Sequence, residues 1–254
     1  MKRNSGTEKK TSNLRIFGIR AVMEAIESGK EIDSLYVQKG TAGSLYRDLR
    51  KIASEYDLTI QTVPPEKLRY LGDKNHQGVV AFISPVEFHK LEQLIPAIYE
   101  RGEVPLILIL DRITDVRNFG AISRSAECLG VHGIVIPRKG AAQVNADAVK
   151  TSAGALLSIP VCRERNLKNS IVFLRESGLQ VVACTEKSQN YPSAMDFTAP
   201  TAIILGSEED GISGEYLKLA DDAVKIPMKG TIASLNVAVA AGVILYETIR
   251  QRLI

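Results

Sequence analysis

Among 254 residues there are only three cysteines and three histidines. Cys128, Cys162 and Cys184 stand far apart. They match no zinc spacing and cannot all pair, which fits a reducing, cytoplasmic setting rather than a disulfide scaffold. His76, His89 and His132 are as scattered, so no metal is expected. No apolar run is long enough to cross a membrane, and Met1-Lys2-Arg3-Asn4-Ser5 lacks the apolar segment of a secretory leader. No internal repeat is visible. No G-x-G-x-x-G is present either, which disfavours a nicotinamide-dependent enzyme. Charge of neither sign dominates. The net charge is +3, and residues 1–15 hold Lys2, Arg3, Lys9, Lys10 and Arg15 against Glu8. Such a basic tail attracts nucleic acid non-specifically, yet many solvated N-termini look the same.

What is present is a hydrophobic content of 45%, enough for one large or two modest folded domains. Residues 1–12 read as a polar, disordered tail. Residues 13–84 read as a small α/β domain. Its helices are 18–28 (Ala21, Val22, Ala25 and Ile26 inward), 44–56 (Leu45, Leu49, Ile52 and Ala53 inward) and 66–71. Its strands are 35–37, 58–63 and 78–83. Residues 85–104, with mixed charge and one helix at 91–101, read as a connector. From 105 to 254 the pattern changes. Leu106-Ile107-Leu108-Ile109-Leu110 is a continuous apolar strand, as in a sheet buried on both faces. Strands at 133–136, 159–161, 180–185, 202–205 and 223–226 alternate with helices at 119–129, 146–156, 167–177, 213–220 and 235–250. This predicts a parallel α/β sheet.

In such a sheet ligands bind at the carboxyl ends of the strands, where three loops stand. The first, 111–118, leads into a helix for which Asn118 is a natural N-cap. Phe119, Ile122, Ala126 and Leu129 form the buried stripe of that helix. Arg124 lies off the stripe and is expected to lean over the bare Gly120 toward the loop. There it could hold a phosphate, or it could simply pair with Glu127 or solvent. The second loop, Gly206-Ser207-Glu208-Glu209-Asp210-Gly211, combines turn-forming glycines with three acids. These are ordinary solvated charge or a seat for a positively charged ligand. The third, 226–236, opens the last helix with Ser234 or Asn236 as cap. The first half of that helix, 237–245, is apolar on every side and must be covered all round, in the core or by a second subunit. In the first domain, Asn75-His76-Gln77-Gly78 offers donors and acceptors for base edges or phosphates, and is also an ordinary polar turn.

Together these motifs resemble the SpoU family of RNA ribose 2′-O-methyltransferases, of the SPOUT class. The first family motif is similar to residues 111–124, with Asn118, Gly120 and Arg124 in register. The second is similar to 206–211, and the third to Ile226-Pro227-Met228 through Ser234-Leu235-Asn236. The first domain, with Phe17-Gly18-Ile19-Arg20-Ala21-Val22-Met23-Glu24-Ala25 and Asn75-His76-Gln77-Gly78, resembles the family's N-terminal substrate-binding domain. The two-domain layout is closest to the subgroup that methylates a guanosine in large-subunit (23S) ribosomal RNA. The resemblance implies a trefoil knot in the C-terminal part, a homodimer, RNA as partner and S-adenosylmethionine as methyl donor, with no metal. It carries catalytic roles to Asn118, Arg124, Glu208, Ser234 and Asn236. Cofactor contacts fall to Gly206, Ile226, Met228, Ser234 and Leu235, and RNA contacts to Asn75, His76, Gln77 and Arg124. The other readings are a transfer-RNA ribose methyltransferase and a non-catalytic RNA-binding protein.

Overall fold

A computed structural model describes residues 15–71, 76–232 and 234–253 of the chain. The chain forms two compact units, Met1–Val86 with Val144–Ala146, and Glu87–Gln143 with Asp147–Ile254.

The smaller unit runs β1 (Arg15–Phe17), α1 (Ile19–Glu27), β2 (Ile32–Gln38), α2 (Ser44–Glu55), β3 (Ile60–Val63), α3 (Pro65–Leu71) and β4 (Val79–Ile83). Its sheet has the order β1-β4-β2-β3. β4 is antiparallel to both neighbours, and β2 and β3 are parallel. On one face Val22, Ile26, Leu49, Ile52, Leu35, Val37, Val79 and Ala81 form a core. Two expected inward residues are not buried. Ala21 is exposed and Leu45 is largely so. The buried faces instead follow Ile19-Val22-Met23-Ile26 and Tyr46-Leu49-Ala53, with Ala21 and Leu45 at their solvent edges. On the other face Tyr36, Val63, Val80 and Leu68 of α3 cluster.

The larger unit runs β5 (Phe88–His89), α4 (Leu91–Glu100), β6 (Leu106–Leu110), α5 (Val116–Cys128), β7 (Gly133–Pro137), α6 (Ala146–Thr151), β8 (Val161–Glu164), α7 (Leu167–Glu176), β9 (Gln180–Cys184), β10 (Thr201–Leu205), α8 (Gly214–Leu217), β11 (Asp222–Val224) and α9 (Val237–Arg252). Its seven strands are ordered β11-β9-β10-β6-β7-β8-β5, and every pairing is parallel. Both β6 and β10 are buried at all five positions, as strands covered on both faces must be.

Four details differ from the sequence reading. The stretch read as a connector supplies an edge strand, β5 on β8, and a core helix, because Leu91, Ile95 and Ile98 are apolar at helical spacing and bury in the main cluster. The helix expected over 146–156 breaks after Thr151. Ala153 and Gly154 have φ of 53° and 90°, and a 3-10 turn follows at Ala155–Leu157. β11 stops at Val224 because the next amide, Lys225 N–H, donates to Asn190 O at 2.8 Å. α8 is a single turn rather than the expected 213–220.

Helix α9 packs on α5 and buries Ala241, Ile244, Leu245 and Thr248. Its apolar girth is not covered all round within one chain. Val239, Val243 and Tyr246 are 52%, 40% and 62% exposed. At its other end the Arg252 guanidinium donates to four carbonyls, Phe197 O (2.9 Å), Val104 O (2.8 Å), Pro105 O (3.1 Å) and Ala199 O (3.0 Å). Burial lowers its pKa. These bonds tie the last turn of α9 to the segments that start β6 and β10. Among the described residues, no helix is long and apolar enough to cross a membrane. Arg252→Met should leave Phe197 O and Val104 O without this donor, while Pro105 O and Ala199 O keep Thr201, and should cost on the order of 1–3 kcal/mol in urea unfolding, with Arg252→Lys recovering only part.

Candidate functional site

Parallel pairing brings four strand ends together. Leu205 is the register partner of both Leu110 and Cys184, and Cys184 is also the partner of Val224. The residues that follow therefore leave the sheet side by side: Asp111, Gly206, Thr185 and Lys225. The sequence reading named three of these loops. The fourth, after β9, was missed because only strand order puts β9 between β10 and β11.

In the first loop Asp115 caps α5, its Oδ1 accepting from Arg117 N (2.7 Å) and Asn118 N (3.0 Å). These bonds hold its carboxyl below the usual carboxylate range. Asn118 is thus not the cap that the sequence suggested. The helix starts at Val116, an Asp one residue earlier takes the orphan amides, and the Asn118 side chain is left for other contacts. Upstream, Asp111 is 2% exposed. It accepts from Ser213 N (2.7 Å) and from both Nε (2.9 Å) and Nη2 (3.1 Å) of Arg112.

The second loop closes on itself. A Cβ on Gly206 would lie 2.2 Å from Gly211 C and Ile212 N, so no larger residue fits there. Ser207 and Gly211 bridge, with Gly211 at φ 69°. The turn lifts Glu208, Glu209 and Asp210 into solvent.

In the third loop Asn236, not Ser234, is the cap of α9, its Oδ1 accepting from Ala238 N at 3.0 Å. That bond orients the amide, and Nδ2 then donates to Glu208 Oε1 (2.6 Å) and Asn118 Oδ1 (3.1 Å). Asn118, Glu208 and Asn236, 118 residues apart at the extremes, meet at one junction. It borders a cleft of ≈ 300 Å³ whose walls include Ile113, Thr114, Asn118, Glu208, Glu209 and Val237. Carboxylates predominate, so the cleft favours a cationic ligand group. The junction also offers oriented donors and acceptors to a hydroxyl.

Other expected site residues are elsewhere. Arg124 is exposed on α5, makes no hydrogen bond or ion pair among the described residues, and is not on the cleft wall. The flank of Gly120 that looked bare in the sequence is occupied, for a Cβ there would be 2.7 Å from Thr151 Cβ and 3.0 Å from Ala148 O, both of α6. Ile226 and Leu235 are half-buried, and Met228 and Ser234 exposed, in the third loop outside the cleft lining. In the smaller unit His76 Nδ1 accepts from Gly78 N at 3.0 Å. Gln77, at φ 47°, is the residue a Cβ on Gly18 would meet, at 3.1 Å. His76 and Gln77 thus lie beside the start of α1. Asn75 lies outside the described residues. Among the described residues, no group of three or more His, Cys, Asp or Glu is arranged to hold a metal ion.

A parallel α/β unit with a polar, acid-lined cleft at the carboxyl edge of its sheet, carried with a separate small α/β unit, defines a two-unit α/β protein with a candidate ligand site. Known proteins specify it further. Residues 105–246 match the SpoU rRNA Methylase family, and residues 15–89 match the RNA 2′-O ribose methyltransferase substrate binding family. The chain belongs to the SpoU family of RNA methyltransferases. It is 35% identical over 237 residues (93% of this chain, 95% of the relative) to YacO of Bacillus subtilis, described as a TrmH family tRNA/rRNA methyltransferase. A protein of Staphylococcus haemolyticus with the same description is 36% identical over the same shares. Among solved structures, the SpoU methyltransferase AviRb from Streptomyces viridochromogenes, in complex with the cofactor AdoMet, aligns with a TM-score of 0.60 and 29% identity. That alignment covers 98% of this chain and 94% of AviRb.

Asn236→Ala removes the cap and both cross-loop bonds. Asn236→Ser keeps a capping oxygen but cannot reach both partners. Thermal melting should show Ala losing about 1 kcal/mol of stability and Ser much less. Methyl transfer to RNA should fall at least about tenfold in both variants if the junction serves the reaction.

Proposed function

We propose that this chain transfers a methyl group from S-adenosylmethionine to a ribose 2′-oxygen of a guanosine in 23S ribosomal RNA, working as a homodimer. The observation that carries the reading is the three-loop junction of Asn118, Glu208 and Asn236 beside the acid-lined cleft. The match of residues 15–89 supports an RNA substrate, and the match of residues 105–246 to the SpoU rRNA Methylase family supports ribosomal RNA as that substrate. Residues 13–84 then recognise RNA, with Asn75, His76 and Gln77 in contact. Residues 105–254, with the trefoil knot, carry the chemistry.

The residues fit the cofactor. The doubled-back turn at Gly206, the half-buried Ile226 and Leu235, and Met228 and Ser234 near them hold it. Any ligand touching both Gly206 and Ile226 must pass the end of β9, which adds Thr185 to that set. When bound, S-adenosylmethionine supplies a methyl carbon activated by a cationic sulfur, a charge that Glu208 and Glu209 favour. Asn118 and Asn236 hold the ribose hydroxyl in line for attack. Ser234 stands on the same loop. Arg124 grips the adjacent phosphate in bidentate fashion. It acts jointly with Asn118 to lower the hydroxyl's pKa, and the hydroxyl proton passes to water as the carbon–sulfur bond breaks and the neutral thioether leaves.

The exposed row Val239, Val243 and Tyr246, at spacings of four and three on α9, supports self-association. Val243→Lys is expected to yield monomers in sedimentation velocity.

Mapping 2′-O-methyl marks in ribosomal and transfer RNA, with and without this protein, tests the substrate. Loss of one guanosine mark in 23S RNA is expected. Loss of a transfer-RNA mark instead would reassign the enzyme, and no change in either pool would point to a non-catalytic role. Arg124→Lys should bind S-adenosylmethionine normally yet turn over at least about tenfold more slowly. Near-normal turnover would remove the special role of the guanidinium.

A further inference from the structure

The cleft wall holds a residue to which neither the motifs nor the family match assigns a role. Arg112 has φ 59°, in the left-handed region that suits glycine rather than arginine. Such an outlier persists only where surrounding contacts over-determine it. Here they do. Nε and Nη2 bond Asp111, Nη1 bonds Asp210 Oδ2 at 3.0 Å, and Nη2 also reaches Gly211 O at 3.1 Å. Asp111 is buried, and its negative charge in turn anchors the guanidinium. Asp210 is different. Its side chain is 71% exposed, so its bond to Arg112 does little for the core. What that bond does is hold the second loop. Glu208 is fastened to Asn236 at one end of the loop, and Asp210 and Gly211 are fastened to Arg112 at the other.

We infer that Arg112 is a positioning residue, which clamps the acidic loop from the side opposite Asn236 and so presets Glu208 and the Gly206 turn for the cofactor. The inference rests on the cofactor reading above. A loop carrying three adjacent carboxylates repels itself. One guanidinium shared between a buried and an exposed carboxylate offsets that repulsion and fixes the turn before any ligand arrives, so little ordering remains to be done on binding.

The test uses the full chain, three single variants and one double variant. Asp210→Ala removes only the exposed partner and leaves Asp111 with its counter-charge, so the melting temperature should stay within about 2 °C of the parent. Arg112→Gly suits the backbone but removes the cation. Arg112→Lys restores charge without the fork. Calorimetric titration with S-adenosylmethionine should show roughly five- to thirtyfold weaker binding for Asp210→Ala and Arg112→Gly, and partial recovery for Arg112→Lys, with RNA affinity unchanged in all three. Combining Asp210→Ala with Arg112→Gly should weaken binding no further than Arg112→Gly alone, because the contact that Asp210→Ala cuts is already lost in Arg112→Gly. Hydrogen exchange of the ligand-free protein should be at least about tenfold faster in residues 206–213 of Asp210→Ala. Parental exchange in that variant would overturn the clamp. Faster exchange with parental cofactor affinity would overturn its positioning role. A parent chain that bound no S-adenosylmethionine would instead sink the cofactor reading, and exchange would still decide whether the clamp exists.

Discussion

The Asn236 side-chain amide is the bond centre on which the site depends. Its oxygen is committed to the first turn of α9, so its nitrogen can point only toward Asn118 and Glu208. One side chain therefore does two tasks, ending a loop and joining it to two others. Such coupling makes the geometry of the cleft a consequence of helix capping. Wherever α9 begins, the Glu208 carboxylate is drawn to it.

That arrangement is possible only because the sheet is parallel. Antiparallel neighbours would send successive strand ends to opposite edges. Here Leu110, Leu205, Cys184 and Val224 share one register line, and their following residues share one rim. The strands themselves are held by apolar burial without relief at β6 and β10. Arg252 adds a polar tie at the far end of α9, where four carbonyls meet one guanidinium. The last helix is thus fastened at both ends, by an amide at its start and by an arginine at its finish.

The acidic loop shows how strain and charge are set against each other. Gly206 leaves no room for a side chain, and Arg112 accepts a backbone conformation that costs it energy. Both irregularities lie within the same rim, where the motifs also fall, in keeping with the idea that departures from local preference collect at working sites. Ala153, at φ 53° where α6 ends, is a departure outside it.

Much of this was legible in the residues. The continuous apolar run 106–110, the alternation of strand and helix after it, and the acids between Gly206 and Gly211 depend on side-chain type at fixed spacing, which sequence displays directly. The family resemblance drawn from three motifs agrees with the family matches over 15–89 and 105–246. Other features needed the folded chain. Asp115 rather than Asn118 caps α5, because a cap is decided by where the backbone turns helical. Residues 88–100 supply a strand of the sheet and a helix of the core, because β5 finds its partner more than seventy positions away at Val161. The flank of Gly120 is filled by α6, because Ala148 and Thr151 pack against it. The place of Thr185 between Gly206 and Ile226 follows from strand order alone. Local preference is written in the neighbouring residues, and it determined the strands, helices and polar loops of this protein. Adjacency between segments a hundred residues apart depends on which strand pairs with which. Only the tertiary structure decided that Asn118, Glu208 and Asn236 would share hydrogen bonds.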